Sequence, residues 1–295
     1  MSRLAIDIAD FLEGSGFHHS FQMRHDMEVI CLKTSGSGSD RMVLPMEISA
    51  RTPEDAAAMA ESTSECLRLI QIMEERPIII TEDRWRKQSG MMKARLLSHL
   101  EVFDRIYARN CEVRKIDKKT ATEFLEANHS YGYAACRYRY GLFLKRHTGH
   151  IAAEGTGASK YPAGTLMAVA TFSNARKWIK GDKTIRSYEW TRYASLPGVR
   201  LSGGMGKLLD TFIREVRPDD IMTYADLEWS EGKVYERLGF VFEGVKDGVM
   251  FCVDTGSWTR LAMKEQVLQT HMTEGAAYFR NFGSNKYRLK LTDYQ

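Results

Sequence analysis

Cysteine, proline and long apolar segments are all scarce in this sequence of 295 residues. Its five cysteines are odd in number and lack C-x-x-C spacing, which excludes a disulfide framework and a structural zinc site. With six prolines and 43% hydrophobic residues, the chain is neither collagen-like nor disordered. No uncharged stretch approaches the ~20 apolar residues of a membrane span, and Asp7, Asp10 and Glu13 interrupt the opening segment. We therefore expect a cytoplasmic protein of about two domains with no membrane partner.

Positive charge is unevenly distributed along the chain. The formal net charge is +4, yet residues 1–100 carry 12 basic and 15 acidic side chains while residues 101–295 carry 30 and 23. Two stretches hold most of the excess, residues 105–146 with 10 basic and 4 acidic side chains and residues 173–207 with 8 and 2. Such a surface attracts a polyanion or a phosphorylated cofactor, and a solvated face with scattered arginines is the alternative.

The first part of the chain, residues 1–103, is predicted to be a small α/β domain. Its predicted elements are a helix at 3–13, strands at 27–33 and 41–48 joined by the turn SGSGSD, a helix at 52–75, a strand at 77–80 and a helix at 89–103. The strongest start signal is Thr52 as N-cap, followed by Pro53 and by two acidic residues that complement the helix dipole.

The second part, residues 104–295, alternates strands and helices. Its predicted elements are a strand at 106–116, a helix begun by a capping box at Thr120–Glu123, strands at 137–145, 164–173 and 186–194, a helix at 204–216, a strand at 221–226, a helix at 230–238 and a strand at 240–246. A loop rich in glycine and histidine at 146–163 breaks the pattern. This order predicts an α/β (α+β) fold.

A glycine-rich turn, LSGGMGKLL, joins an extended strand to the helix at 204–216. Its glycines remove side chains where the backbone must approach a ligand, and the free amides at the start of the helix attract an anion. The turn predicts a phosphate-bearing cofactor, with a simple tight turn as the alternative. The predicted cofactor-binding residues are Leu201, Ser202, Gly203, Gly204, Gly206 and Lys207.

The run from Tyr188 to Gly244 resembles the cofactor-binding half of a GNAT-type acyltransferase. LSGGMGKLL is similar to the family's acyl-CoA pyrophosphate loop, and VYERLGF is similar to its helix–strand signature. The resemblance implies a mixed sheet with flanking helices, N-acyltransferase activity, and acetyl-CoA or a related acyl-CoA as cofactor. One departure is Leu201, which stands where the family usually has Arg or Gln.

Four further features resemble the Mom-type DNA-modification enzymes, a GNAT-like group that alters the exocyclic amine of adenine. They are the segment NHSYGY at 128–133, Thr191-Arg192-Tyr193, Tyr224-Ala225-Asp226 and Tyr235 of VYERLGF. The resemblance implies an active site of His129, Arg192, Asp226 and Tyr235, with nucleic acid as the partner and DNA favoured. Residues 77–292 also resemble the C-terminal region of phage homing-endonuclease-like proteins.

Each of these four residues has a chemical role and a structural alternative. Tyr235 protonates a leaving thiolate, or it is a core aromatic residue. Asp226 takes or orients the proton of an attacking amine, or it caps the turn that follows. Arg192 clamps a carboxylate or phosphate, or it pairs with Glu189 or Asp226. His129 acts as a base or an orienting donor, or it compensates a helix dipole.

The homing-endonuclease resemblance implies a nuclease-type domain in the first part of the chain. The acidic residues of its predicted hairpin are Asp26, Glu28, Asp40 and Glu47. Ser49 stands where the lysine of a metal-dependent nuclease belongs, and Lys33 is the alternative lysine. We therefore expect a degenerate domain that positions substrate and holds no metal.

Two functions compete with a transferase that modifies a nucleic-acid base. One is an acetyl-CoA-dependent N-acetyltransferase that acts on a small molecule or a protein. The other is a non-catalytic DNA-binding or homing-endonuclease-like protein. The sequence leaves the oligomeric state open.

Overall fold

The computed structural model describes residues 1–33, 41–146, 160–263 and 276–294. The predicted turn SGSGSD and most of the predicted loop at 146–163 lie outside these residues. The chain divides into two compact units, of which the first comprises Met1–Leu100, Ala225–Glu231 and Val245–Asn285, and the second comprises Glu101–Tyr224, Gly232–Gly244 and Lys286–Gln295. The division between residues 103 and 104 stays a prediction of domain boundaries.

Helices and strands alternate through most of the chain. The helices are α1 (Arg3–Gly14), α2 (Pro53–Met73), α3 (Glu82–Lys87), α4 (Ser89–His99), α5 (Lys118–Asn128), α6 (Gly204–Val216) and α7 (Lys233–Arg237). The strands are β1 (His19–Arg24), β2 (Met27–Leu32), β3 (Arg41–Met46), β4 (Ile78–Thr81), β5 (Asp104–Tyr107), β6 (Cys111–Lys115), β7 (Tyr138–Leu144), β8 (Leu166–Phe172), β9 (Arg176–Lys180), β10 (Lys183–Ser195), β11 (Val199–Ser202), β12 (Asp220–Asp226), β13 (Val241–Lys246), β14 (Met250–Asp254), β15 (Thr259–Ala262), β16 (Ala276–Arg280) and β17 (Ser284–Lys290).

The first unit contains a four-stranded sheet in the order β1-β2-β3-β4. Strands β1 to β3 are antiparallel, as the predicted hairpin requires, and β4 lies parallel to β3. Helix α1 contributes Leu4, Ile8 and Leu12 to the core, and this i, i+4, i+8 spacing gives the helix one apolar face. A second, antiparallel sheet in the order β15-β14-β16 carries its own apolar cluster around Val253 and Phe279.

The second unit is built on a mixed sheet in the order β13-β17-β12-β10-β8-β7-β6, with β9 paired to β10. Strands β6, β7, β8 and β10 are antiparallel, and β10 is parallel to β12. Helix α6 packs on the sheet through Phe212, whose ring stacks on Phe172 with centroids 3.9 Å apart. The predicted α/β fold class, a mixed sheet with flanking helices, is confirmed.

Three predictions of local structure were wrong. The strand predicted at 106–116 is two strands, β5 and β6, separated by a 3-10 turn at Ala108–Asn110, because β5 pairs with β11 and β6 pairs with β7. Helix α5 begins one turn before the predicted capping box, since the side chain of Asp117 accepts a hydrogen bond from the N–H of Thr120. The helix predicted to reach Phe103 ends at His99.

The acidic residues of the predicted nuclease hairpin serve separate local contacts. Glu28 accepts a hydrogen bond from the N–H of Ser2, and Glu47 accepts one from the N–H of Leu4. Asp26 lies in the turn between β1 and β2, and Asp40 lies outside the described residues. Across the described ranges, no three His, Cys, Asp or Glu side chains are grouped closely enough to hold a metal ion. No helix in the same ranges is long and apolar enough to cross a membrane.

Candidate functional site

The N-terminus of α6 is left open by its own sequence. Gly203 precedes the helix in the left-handed region, with φ of 78°, and no side chain caps the helix. The first amides of an α-helix have no intrahelical acceptor, and here no acidic residue in the first turn offsets their partial positive charge. A Cβ on Gly204 would stand 2.8 Å from the Leu201 side chain, so this position also requires glycine. These amides are therefore free to bind an anion.

A groove of 630 Å³ follows this end of α6. Its lining consists of Gly203, Gly206, Lys207, Asp210, Ile213 and Arg214. Because these positions recur every three or four residues, they form one face of the helix, about 16 Å long at 1.5 Å per residue. The predicted ligands Gly203, Gly206 and Lys207 are all part of this lining, whereas Leu201 and Ser202 end the preceding strand β11. The groove fits an elongated ligand with an anionic group at the helix start.

The two cations of the groove differ in their contacts. The Lys207 ammonium donates to the carbonyl oxygens of Ala108 at 3.0 Å and Cys111 at 2.7 Å, and so fastens the 3-10 turn to α6. Arg214, by contrast, is exposed at the other end of the groove. Sequence reasoning missed Arg214, although its position two helical turns beyond Lys207 places both on one face.

Strands β10 and β12 pair with each other over only part of their length. They pair in parallel over only three positions, of which Glu189 and Met222 are the last, although both strands continue for several residues. Beyond that point the side chain of Thr223 donates to the carbonyl oxygen of Trp190 at 3.1 Å. The pairing of β10 with β8 also shifts register between Trp190 and Arg192. Beyond the paired stretch, the carbonyl oxygens of Trp190, Thr191 and Arg192 therefore accept hydrogen bonds from side chains in place of strand partners.

Tyr235 lies in an aromatic cluster that includes Trp190 of β10. Its ring centroid is 6.0 Å from Trp190, 5.7 Å from Phe240 and 5.7 Å from Tyr287. Burial raises the pKa of Tyr235, and a hydrogen bond with Thr223 opposes that shift. The phenol is therefore protonated at neutral pH, which is the state that a proton donor needs.

Tyr193 is a neighbour that the sequence reasoning quoted within Thr191-Arg192-Tyr193 but gave no role. Its ring contacts Trp190 edge-on at 6.2 Å. Burial raises the pKa of Tyr193 well above its usual value, and Tyr235 raises it further. The indole of Trp190 therefore contacts two protonated tyrosines, Tyr193 of its own strand β10 and Tyr235 of helix α7.

Arg192 and His129 are brought together through Gly132. The Arg192 Nε donates to the carbonyl oxygen of Gly132 at 3.1 Å, and the N–H of Gly132 donates to the carbonyl oxygen of His129 at 2.8 Å. Arg192 forms no ion pair with Glu189 or Asp226 among the described contacts, and burial lowers its pKa. The Nδ1 of His129 accepts from the N–H of Tyr131 at 3.1 Å, so in this tautomer Nε2 carries the proton and acts as a donor.

Asp226 belongs to the other compact unit. Its Oδ1 accepts from the N–H of Glu228 at 2.9 Å, and its carbonyl oxygen accepts from the N–H of Trp229. Its Oδ2 lies 3.5 Å from the Arg84 guanidinium. These contacts are those of a turn cap, and a catalytic role for Asp226 stays a prediction. Within the second unit, the contacts connect His129 with Arg192 through Gly132, whereas Tyr235 contacts Trp190 and neither of these two residues.

Solved acetyltransferase structures resemble part of this chain at low identity. The structure of yncA, a putative acetyltransferase from Salmonella typhimurium with acetyl-CoA, is 13% identical over 63% of this chain and 96% of its own, with a TM-score of 0.35. The NatC complex bound to Gag peptide and CoA is 12% identical over 62% and 99%, with a TM-score of 0.33. A chimera of the Vibrio cholerae spermidine N-acetyltransferase SpeG is 13% identical over 61% and 96%, with a TM-score of 0.34.

No family profile and no curated protein matches the sequence. The Mom-type and homing-endonuclease-like resemblances stay predictions from the sequence.

Proposed function

We propose that this protein is a GNAT-like N-acyltransferase that uses acetyl-CoA or a related acyl-CoA. The observation that carries the proposal is the combination, in one compact unit, of an uncapped helix N-terminus and a groove along that helix. The low-identity likenesses show only the same kind of fold, and the proposal rests on the geometry.

The donor set fits the proposed cofactor. The amides at the start of α6 suit a pyrophosphate, and the close packing of Gly204 on Leu201 leaves no room for side chains that would cover them. Arg214 adds a cation at the other end of the groove. Acyl-CoA, when bound, supplies an acyl group activated as a thioester.

The chain's own residues then divide the proton chemistry. Tyr235 holds a proton that it donates to the departing sulfur, since burial favours its neutral form. The Nε2–H of His129 orients the acceptor as a donor. Arg192 uses two N–H groups to hold the loop at Gly132 and its own strand, and in the described structure its Nη2 makes no hydrogen bond. Its Nη2 is thus the group proposed to bind an anionic part of the acceptor.

The acceptor is proposed to be an amine. The Mom-type resemblance predicts a nucleic-acid base, and the amine of a small molecule or a protein is the alternative. An acetyl-transfer assay that follows release of free CoA distinguishes these acceptors when polyamines, lysine peptides and DNA are offered in parallel. Mass spectrometry of the nucleosides then identifies a modified base.

The test of the proposal is Tyr235→Phe, with Tyr287→Phe as the matched control. Tyr287 is buried beside Tyr235, and its hydroxyl donates a hydrogen bond to Glu236 at 3.4 Å. We expect Tyr235→Phe to lower kcat by about 10²- to 10⁴-fold with CoA affinity unchanged, as loss of a general acid does. Tyr287→Phe is expected to keep most of the activity. Full activity of Tyr235→Phe, or no acyl transfer to any amine by the unaltered protein, contradicts the proposal.

A further inference from the structure

A projecting hairpin of the second unit concentrates positive charge that the proposed chemistry does not use. We define this basic hairpin as residues 176–186, formed by β9 and the start of β10. It carries five basic side chains and one acidic side chain, so its net charge equals the +4 of the whole chain. Such a concentration in eleven consecutive residues marks a binding surface for an anionic polymer.

The pairing within the basic hairpin places like charges opposite each other. Lys177 faces Arg186 across the two strands, an arrangement that destabilises a strand pair unless an anion neutralises it. Arg186 is partly compensated by Asp219, with 3.4 Å between Nε and Oδ2. Among the described residues, Arg176 and Lys177 form no ion pair with an acidic side chain. Arg176 and Lys177 thus leave uncompensated charge on β9, the outer strand.

Two large apolar side chains lie among these cations. Trp178 is 52% exposed and Ile179 is 83% exposed. Because neighbours on a strand point to opposite faces, the indole stands on one face of the hairpin and Ile179 on the other. Arg176, two positions before Trp178, shares the face of the indole, and Lys177 lies on the other face of the same outer strand. An exposed indole is a platform on which an unpaired base stacks while phosphates that cross the strand edge meet these cations.

We propose that the basic hairpin binds single-stranded nucleic acid. An anionic membrane fits less well, because Trp178 and Ile179 lie on opposite faces and cannot enter the lipid together. Duplex DNA fits less well because its bases are paired and stacked within the helix and cannot stack on Trp178. Stacking on Trp178 needs no base edge.

The basic hairpin is separate from the proposed acyl-transfer site. Arg186 and Arg192 lie six positions apart on β10, a distance of about 20 Å along an extended strand. The hairpin extends from the start of β10, whereas Tyr235 contacts the strand at Trp190. The binding function is therefore independent of whether the second unit transfers acyl groups.

The test measures fluorescence anisotropy of a labelled thymidine strand of about 20 nucleotides, longer than a typical single-strand site, at several salt concentrations. The double variant Arg176→Ser/Lys177→Ser is compared with Lys118→Ser/Lys119→Ser, which removes the same charge from an exposed pair on α5. We expect the hairpin variant to make the dependence of log K on log salt shallower by about 1.4, at 0.7 per phosphate, and the α5 variant to leave it unchanged. Trp178→Ala is expected to weaken binding by about 10-fold or more.

Several outcomes would overturn this proposal. One is an unchanged slope of log K against log salt in Arg176→Ser/Lys177→Ser, and another is an equal change of that slope in both double variants. The third is hairpin-dependent binding that is tighter to duplex DNA or to phosphatidylserine vesicles than to the single strand. Acetyl transfer to a small amine, measured on the same samples, is expected to be unchanged in the hairpin variant. That readout separates a failure of this proposal from a failure of the proposed enzyme activity and also shows that the variant is folded.

Discussion

The two compact units begin their longest described helices in opposite ways. Helix α2 of the first unit is closed by its own sequence: Thr52 accepts from the N–H of Asp55 at 3.1 Å, Pro53 has no N–H, and Glu54 adds negative charge. Helix α6 of the second unit follows Gly203 without a cap and without an acidic residue in its first turn. A helix that satisfies its own N-terminus has a structural role, whereas one that leaves it open beside a groove has a binding site.

The two units also differ in the buried polar side chains that they contain. The first unit buries complementary charges, with Arg260 Nη1 at 2.8 Å and Arg84 Nε at 3.1 Å from Glu228. Arg95 lies nearby, and burial, then Arg84, lowers its pKa to about 9. The second unit holds 12 of the 13 tyrosines as well as a buried ion pair of its own, Arg288 with Asp220 at 2.6 Å. Both units neutralise buried charge internally, and the second also holds buried tyrosines whose hydroxyls stay protonated.

The largest effect is expected in the first unit, from Arg260→Ala. This change leaves Asp83 and Glu228, both almost completely buried, without their shared partner. Removing one member of a buried ion pair costs about 3–5 kcal/mol, and we expect that loss in the free energy of unfolding measured with urea. Arg68→Ala, which breaks an exposed pair on α2, is the control and is expected to behave as the unaltered protein does. Equal stability of the two variants would show that the buried cluster is not structural.

Gly206→Glu gives α6 an acidic residue in its first turn, as Glu54 does for α2. A carboxylate at this position repels a pyrophosphate by several kcal/mol at an effective dielectric of about 20. We therefore expect the affinity for CoA to fall by about 100-fold or more. The helix itself should not suffer, since a Cβ at this position meets Leu238 at an ordinary 3.4 Å and an acidic residue suits the helix dipole.

Isothermal titration with CoA measures this effect, and Gly206→Gln is the control of equal size. If the two variants bind CoA equally, the repulsion is absent and the anion site lies elsewhere.

The pH dependence of stability should come from the second unit. Burial raises the pKa of Tyr193 and of Tyr235, so the folded state favours their neutral forms. The resulting stabilisation is complete below the ordinary tyrosine pKa of about 10 and is lost as the pH rises through the folded-state value. Tyr193→Phe is expected to make the fall in unfolding free energy above about pH 10 shallower by up to about 1.4 kcal/mol per pH unit. Urea unfolding at several alkaline pH values checks this, and an unchanged slope would show that Tyr193 is not buried as described.

The smallest effect is expected at the capped helix. Thr52→Ala removes the acceptor for the N–H of Asp55 and should cost about 1 kcal/mol of unfolding free energy, with no change in CoA binding. Thermal or urea unfolding measures the first quantity and titration measures the second. A change in CoA affinity in this variant would contradict the division of roles between α2 and α6.

Local signals predicted α6 well, and non-local contacts explain the rest. Gly203 before the helix and Pro218 after it fix both ends of α6, and the structure places the helix where these residues indicate. The break between β5 and β6 was missed because it depends on a change of strand partner, which no local pattern reveals.

The site residues show the same limit. Tyr193 gains its importance from Tyr235, 42 positions away, and Asp226 gains its partner from Arg84, 142 positions away. Sequence spacing indicated the residue types of the site, whereas the fold determined which side chains meet.

The most direct test of the central claim, that the open start of α6 binds the pyrophosphate of an acyl-CoA, is a calorimetric comparison of CoA with pantetheine. The two ligands share the thiol-bearing arm, and pantetheine lacks the pyrophosphate. We predict saturable binding of CoA that weakens in Gly206→Glu, together with much weaker binding of pantetheine that the substitution does not alter. Equal affinity for the two ligands, or no binding of CoA at all, would contradict the account.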